Sequence, residues 1–241
     1  MMENCQTLKK ATVLYVYAMT CDTNFAPCID EGWLTLACCK GGKKGGMRRS
    51  AGEELLKGHE VWVLGLRAKC LDARQAYQPV YLARLDKNAL PMTEYYRAGG
   101  LSAGRADGVY EVNETGGLAP AHGNPHQYSE EAMERDRNGT YVLTSHHFIY
   151  WGNEDIETDK HIVSEMKQYF PEIFEKITRH SRGYLVDRNI PEFSVQAEKW
   201  FGAEQIKIFG HSINERFIPA VDDEDEEETA TCLHCAKGTR G

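Results

Sequence analysis

Apolar positions along this chain come in two rhythms. From Val13 to Met19 and from Val61 to Leu66 they run almost unbroken and are mostly β-branched, leucine or aromatic, which predicts strands buried on both faces. Pro79–Leu85 repeats the pattern, and Trp33–Cys39 alternates in part and predicts a second strand after the first. Between them Thr20–Asp30, with its Asp, Asn and Pro, predicts a loop. Gly41–Gly46 holds four glycines and two lysines. It lacks the order of a phosphate loop, because no hydroxyl residue follows Lys43 or Lys44, so it reads as an exposed insertion or a flexible phosphate-contacting loop. Glu53–Lys57 reads as a short turn, Arg67–Ala76 as a loop or short helix, and Pro91 opens a short helix through Tyr96.

The rhythm changes further along. Gly99–Asn138 is irregular, with one brief strand at Gly108–Val112 and a polar group that includes His122 and His126. Tyr141–Gly152 is strand-like but is interrupted by Ser145, His146 and His147. Neighbours on a strand point to opposite faces, so at most one of these histidines faces a given pocket. Apolar spacings of three and four across Glu165–Ile177 predict an amphipathic helix that Pro171 splits. Another helix is predicted near Gln196–Phe201 and a strand at Ile206–Gly210. These elements predict a mixed α/β (α+β) fold: a small curved or barrel-like sheet in the N-terminal half, with helices after Asp155. Residues 1–11 read as a flexible lead-in, 12–221 as a single domain and 222–241 as an acidic, disordered tail.

Charge alters the picture only locally. The net charge of −8 arises largely from the unbroken acidic run Asp222–Glu228, so the remainder is close to neutral. That leaves room for an anionic ligand but supplies no broad basic field for duplex DNA. No apolar run reaches membrane-spanning length and no signal peptide is evident, which predicts a soluble, cytoplasmic protein without a membrane partner. The eight cysteines do not imply disulfides in that compartment. Cys232-Leu233-His234-Cys235 is half a zinc site without its second half, so no metal and no cofactor are predicted.

Several stretches together resemble a known family. They are Thr20-Cys21-Asp22-Thr23-Asn24-Phe25-Ala26-Pro27, Leu34–Lys40, Arg48-Arg49-Ser50-Ala51, Val63-Leu64-Gly65 and Thr144–Gly152. The family is the nucleotide-modification-associated domains, most closely the second type. The glycine-rich Lys40–Met47 departs from the Lys-Pro-x-Ile-Arg-Arg form usual there. The resemblance implies an association with modification of DNA bases or nucleotides. It implies as partners a nucleotide, a modified nucleobase or single-stranded DNA, together with nucleic-acid modification enzymes. The strand order is also similar to PUA and EVE barrels, whose pockets receive a modified base.

Three functions stay open. In a binding module, Asp22 and Asn24 read base edges, Phe25, Tyr150 or Trp151 stacks on the base, and Arg48 and Arg49, with Lys40 beside them, hold phosphate. In an enzyme, Asp22 with His146 or His147 forms an acid–base pair, or Cys21, Cys38 or Cys39 acts as nucleophile. In a structural or interaction protein none of these groups converges. The first two readings require Asp22, Asn24, Arg48, Arg49 and His146 to meet in one pocket.

Overall fold

The computed structural model describes residues 11–121, 130–154, 160–179, 184–188 and 190–213. Residues 1–10 of the lead-in, His122, His126, the acidic tail and the Cys232–Cys235 pair lie outside the described residues.

The centre is a six-stranded sheet ordered β11-β1-β4-β5-β10-β12. Its members are β1 (Thr12–Met19), β4 (Glu60–Arg67), β5 (Pro79–Arg84), β10 (His147–Tyr150), β11 (Tyr184–Asp187) and β12 (Ile206–Ile208). β1 and β4 pair in parallel along their whole length, from Thr12↔Glu60 to Met19↔Arg67. Their near-continuous apolar sequence follows from burial on both faces. Leu14, Val16, Trp62, Leu64 and Ile149 pack toward α4 (Lys160–Tyr169), α5 (Pro171–Arg179) and α6 (Pro191–Phe201). Tyr15, Tyr17, Val63, Tyr81 and Phe148 face α1 (Gly46–Leu56) and a second sheet.

That second sheet is antiparallel, β2-β3-β9-β6, built from Cys28–Asp30, Trp33–Leu36, Tyr141–Ser145 and Leu90–Pro91. Next to it lie α2 (Met92–Tyr95), the hairpin β7–β8 (Tyr110–Val112, Leu118–Pro120) and α3 (Glu130–Arg137). Phe25, Cys38, Tyr95, Tyr96, Tyr110 and Val142 form a third apolar cluster there.

The expected mixed fold with C-terminal helices is present. Barrel closure is not among the described pairings, since β11 and β12 are the two edges of the central sheet. Five local expectations change. Arg48 and Arg49 stand on a helix, because Met47, Ala51 and Leu55 recur at a spacing of four and bury one face; buried Arg48 and Glu54 on that face disguised it. The second strand stops at Leu36, and the chain turns through Cys39 and Lys40, both at positive φ (57° and 53°). α3 occupies ground that read as irregular, and α6 starts at Pro191, earlier than Gln196. Tyr141–Gly152 divides between two sheets: β9 belongs to one, β10 to the other, and His146 is the corner.

Candidate functional site

Register places two of the expected site residues, His147 and Tyr150, toward opposite ends of the central sheet. Trp62, Arg84 and His147 lie abreast on β4, β5 and β10 at one end, while Gly65, Tyr81 and Tyr150 lie abreast toward the other.

The second end is closed. Asp22 follows β1 and is 1 % exposed. Its Oδ2 accepts from the Tyr150 hydroxyl at 2.9 Å and from the Ile213 N–H at 3.1 Å. Burial pushes its carboxyl pKa up, against the pull of those hydrogen bonds and of Arg67. The Tyr17 and Tyr81 hydroxyls meet at 2.9 Å, and Lys40 Nζ lies 4.3 Å above the Tyr17 ring. Burial raises both tyrosines, so they remain phenols at neutral pH. Asp22, Tyr150 and Lys40 thus share one end of the molecule, as a fastening between strands.

The other members of the expected set are dispersed. Asn24, at φ 61°, pairs its amide with both backbone groups of Ile29 (Nδ2 to O 3.3 Å, N to Oδ1 2.8 Å) and so closes its own loop. Phe25 and Trp151 are core residues in different clusters. Arg48 is 0 % exposed and donates to the carbonyls of Ala37, Cys39, Tyr141 and Asp136. The Asp136 carboxylate in turn accepts from Cys39 N and the Tyr110 hydroxyl. Arg48 is therefore the pin joining α1, β9 and α3, and it faces no solvent. Arg49 is exposed, pairs with Glu53 at 3.1 Å, and borders a shallow depression with Lys43 and Lys44. The five-residue convergence does not occur: the set divides among the closed end, the interior, the α1 surface and His146. Cysteine chemistry loses one candidate as well, since burial pushes the Cys38 thiol up to about 12.

The first end is open. A cavity of about 500 Å³ lies where α1 ends, β4 begins, β5 ends and the chain turns at His146; Arg84, Asp86, Lys87, His59, His146 and His147 are among its walls. Here the strand that read as interrupted leaves one sheet for the other. The Ser145 hydroxyl makes the corner, 2.7 Å from the Arg84 carbonyl and accepting from His147 N at 3.1 Å. The corner turns His146 outward, 63 % exposed at its side chain. Its Nδ1 lies 2.9 Å from Asp86 Oδ2, and its backbone N–H donates to Asp86 Oδ1 at 3.2 Å. Thr144 Oγ1 donates to the same carboxylate at 2.7 Å. A carboxylate at Nδ1 makes that nitrogen the donor and turns Nε2 into the reactive one. The imidazole also stacks on Trp33 (5.7 Å, 11°), and the guanidinium of Arg105 lies 4.3 Å over the same indole. Arg105 is anchored by a buried network of Asp107, Tyr95 and Thr35.

His147 has the opposite character. It is 9 % exposed, tilts against Phe201 at 4.1 Å, and neither ring nitrogen has a hydrogen-bond partner among the described residues. Burial lowers its pKa, and Arg84 lowers it further, against the carboxylate of Glu198 3.4 Å away. These surroundings favour its neutral form, and it forms part of the cavity wall. Arg84 is ion-paired with Glu198 and lies 5.9 Å from the Trp62 ring.

Of the expected residues, this end contains only the two histidines. Asp86, His59, Arg84 and Trp33 were missed. The one local signal was position: Asp86 directly follows an apolar strand and His59 directly precedes one, and strand ends are where polar groups reach a sheet's rim. Among the described residues, no three histidine, cysteine or acidic side chains are grouped so as to hold a metal ion. No described helix is long and apolar enough to cross a membrane.

A model of the family described as nucleotide modification associated domain 2 matches residues 11–205. No curated protein and no solved structure matches the chain.

Proposed function

The chain belongs to the nucleotide modification associated domain 2 family, and on that premise we propose that it binds a nucleotide or modified nucleobase at the open end of its central sheet, in the service of base modification. One observation carries the proposal: a single cavity combines Arg84 and Lys87 with His146, whose Nδ1 is held by Asp86. Guanidinium and ammonium groups suit phosphate, and the imidazole Nε2 suits a phosphate or ester oxygen beside them. A volume near 500 Å³ lies within the usual range for small-molecule sites. The likeness to PUA and EVE barrels enters only as a manner of receiving a base at a sheet's rim. Free nucleotide and the end of single-stranded DNA share this chemistry, and a nucleic-acid modification enzyme is the partner such a module would serve.

The test is calorimetric titration with deoxynucleoside 5′-monophosphates, with and without modified bases, and with short single-stranded DNA. Saturable binding that weakens in Lys87→Gln and Arg84→Gln, most strongly at low salt, supports the proposal. Binding indifferent to both substitutions, or none at millimolar ligand, overturns it.

The Asp86–His146 pair favours a second reading, an enzyme acting on the bound nucleotide by acid–base chemistry. Turnover of the bound ligand separates the two.

A further inference from the structure

Resting on that placement of the ligand, we infer that His59 and His146 form a general acid–base couple that cleaves a nucleotide phosphodiester in the open-end cavity. The two imidazoles are built alike from unrelated elements. His146 stands at the β9–β10 corner with Nδ1 2.9 Å from Asp86 Oδ2; His59 stands just before β4 with Nδ1 2.6 Å from Glu54 Oε2. Glu54 is itself held by Arg188 Nε at 3.2 Å and Lys57 Nζ at 3.3 Å. In each ring a carboxylate occupies Nδ1, leaving Nε2 to exchange a proton. Two imidazoles so oriented line the same cavity.

Spacing supports the pairing. Trp62 pairs with Arg84 and Arg84 with His147, so β5 separates β4 from β10. Two strand spacings are about 10 Å, and the offset of His59 and His146 from the Trp62–His147 register adds about two residues of rise along the strands, which leaves room between the rings for a phosphoryl group with its two ester oxygens. Lys87, just beyond the end of the intervening strand, and Arg84, ion-paired with Glu198 on that strand, line the same cavity and would supply the cations for the non-bridging oxygens. Among the described residues, other charged and titratable groups at this end include Glu60, whose carboxylate accepts from Trp62 Nε1 and Ser194, together with His147, Glu198 and Arg105.

The step balances with water as the second reactant. One imidazole takes a proton from water at Nε2 as the water oxygen bonds to phosphorus. The phosphorus–oxygen bond to the leaving alcohol breaks, and the other ring, entering as imidazolium, gives its Nε2 proton to that oxygen. A phosphomonoester and an alcohol result, and solvent exchange resets both rings. Glu54 and Asp86 are positioning residues in this scheme.

Two probes test it, thymidylyl-(3′→5′)-thymidine and the p-nitrophenyl ester of thymidine 5′-monophosphate. The nucleoside expelled from the dinucleotide leaves as an alkoxide and needs the acid; nitrophenolate does not. We expect His59→Asn and His146→Asn each to lower kcat on the dinucleotide by about 10²–10⁴-fold, with Kd for thymidine 5′-monophosphate changed less than tenfold. On the nitrophenyl ester one of the two variants, the one lacking the acid, is expected to lose far less. Added imidazole should restore part of the lost rate. Equal losses on both probes overturn the couple, as does full dinucleotide activity in His59→Asn. Thermal melts within a few degrees of the wild type establish that each variant is folded. A wild-type protein that binds thymidine 5′-monophosphate but cleaves neither probe overturns the couple and leaves the binding proposal standing. Absence of binding removes both.

Discussion

The two ends of the central sheet contain similar chemistry arranged to opposite effect. At the closed end Asp22, Tyr17, Tyr81 and Tyr150 are buried and hydrogen-bonded to one another or to backbone. At the open end Asp86 and His146 make an equally short bond, yet the imidazole stands in solvent at the edge of a cavity. α1 spans both: it begins near Lys40, over Tyr17, and its C-terminal Leu55 lines the cavity. The contrast teaches that a buried carboxylate with good partners is a fastening, whereas the same group holding an exposed ring is an instrument. Substitutions should therefore separate into those that cost stability and those that cost only ligand chemistry.

The largest effect belongs to Arg48. Arg48→Met removes the guanidinium from four carbonyls, of which, among the described residues, only that of Asp136 is shown keeping another donor, the Gly139 N–H, and a loss of about 3–5 kcal/mol is expected, read as a shift in urea midpoint. A loss below about 1 kcal/mol would break the distinction between fastening and instrument at its strongest point. Next comes Gly139→Ala, whose added Cβ would fall 2.4 Å from Arg48 Cζ. Because the guanidinium is held on several sides, the strain should cost about 1–3 kcal/mol, and combining it with Arg48→Met should be markedly less than additive.

Asp22 provides a pH-resolved test. Burial raises its carboxyl above the ordinary value of 3.8, so the folded chain holds that proton more tightly than the unfolded chain. The resulting stability is complete below the unfolded value and is lost as pH rises through the raised folded value. The stability of the wild type relative to Asp22→Asn should therefore decline on raising the pH from about 4, by at most about 1.4 kcal/mol per unit. Asp107, raised first of all by burial, contributes equally to both proteins and cancels. A difference that stays flat with pH would show that Asp22 is not sealed.

At the open end the same measurements should barely move. Asp86→Ala is expected to cost less than about 1 kcal/mol, since its partner ring is exposed. It should instead shift the His146 tautomer away from Nδ1–H, visible in long-range nitrogen–proton NMR spectra. An unchanged tautomer would deny Asp86 its orienting role. Smallest of all, Arg49→Ala removes an exposed i,i+4 pair with Glu53 and should change stability by no more than about 0.5 kcal/mol.

Much of the fold was legible because burial on both faces leaves a mark in linear order. β1, β4 and β5 declare themselves by unbroken apolar runs, and α5 by its spacing from Pro171. α1 was hidden because its buried face includes Arg48 and Glu54, whose burial depends on carbonyls and cations remote in sequence. The site was half legible for the same reason. His146 and His147 stood out as polar residues inside a strand pattern. Asp86 is 60 residues from His146 and nothing local joins them.

Composition and order alone determined that this chain builds a strand-rich core followed by amphipathic helices, and that Tyr141–Gly152 carries a polar break worth explaining. Those properties depend on neighbours along the chain, where a hydrophobic period is a local quantity. Only the tertiary structure decided that Arg48 is a pin, that Asp22 is sealed beneath Tyr150, and that the break at His146 is the corner between two sheets. Each of those outcomes turns on whether water reaches a polar atom, and that is settled by segments far apart in the chain closing over it or leaving it open.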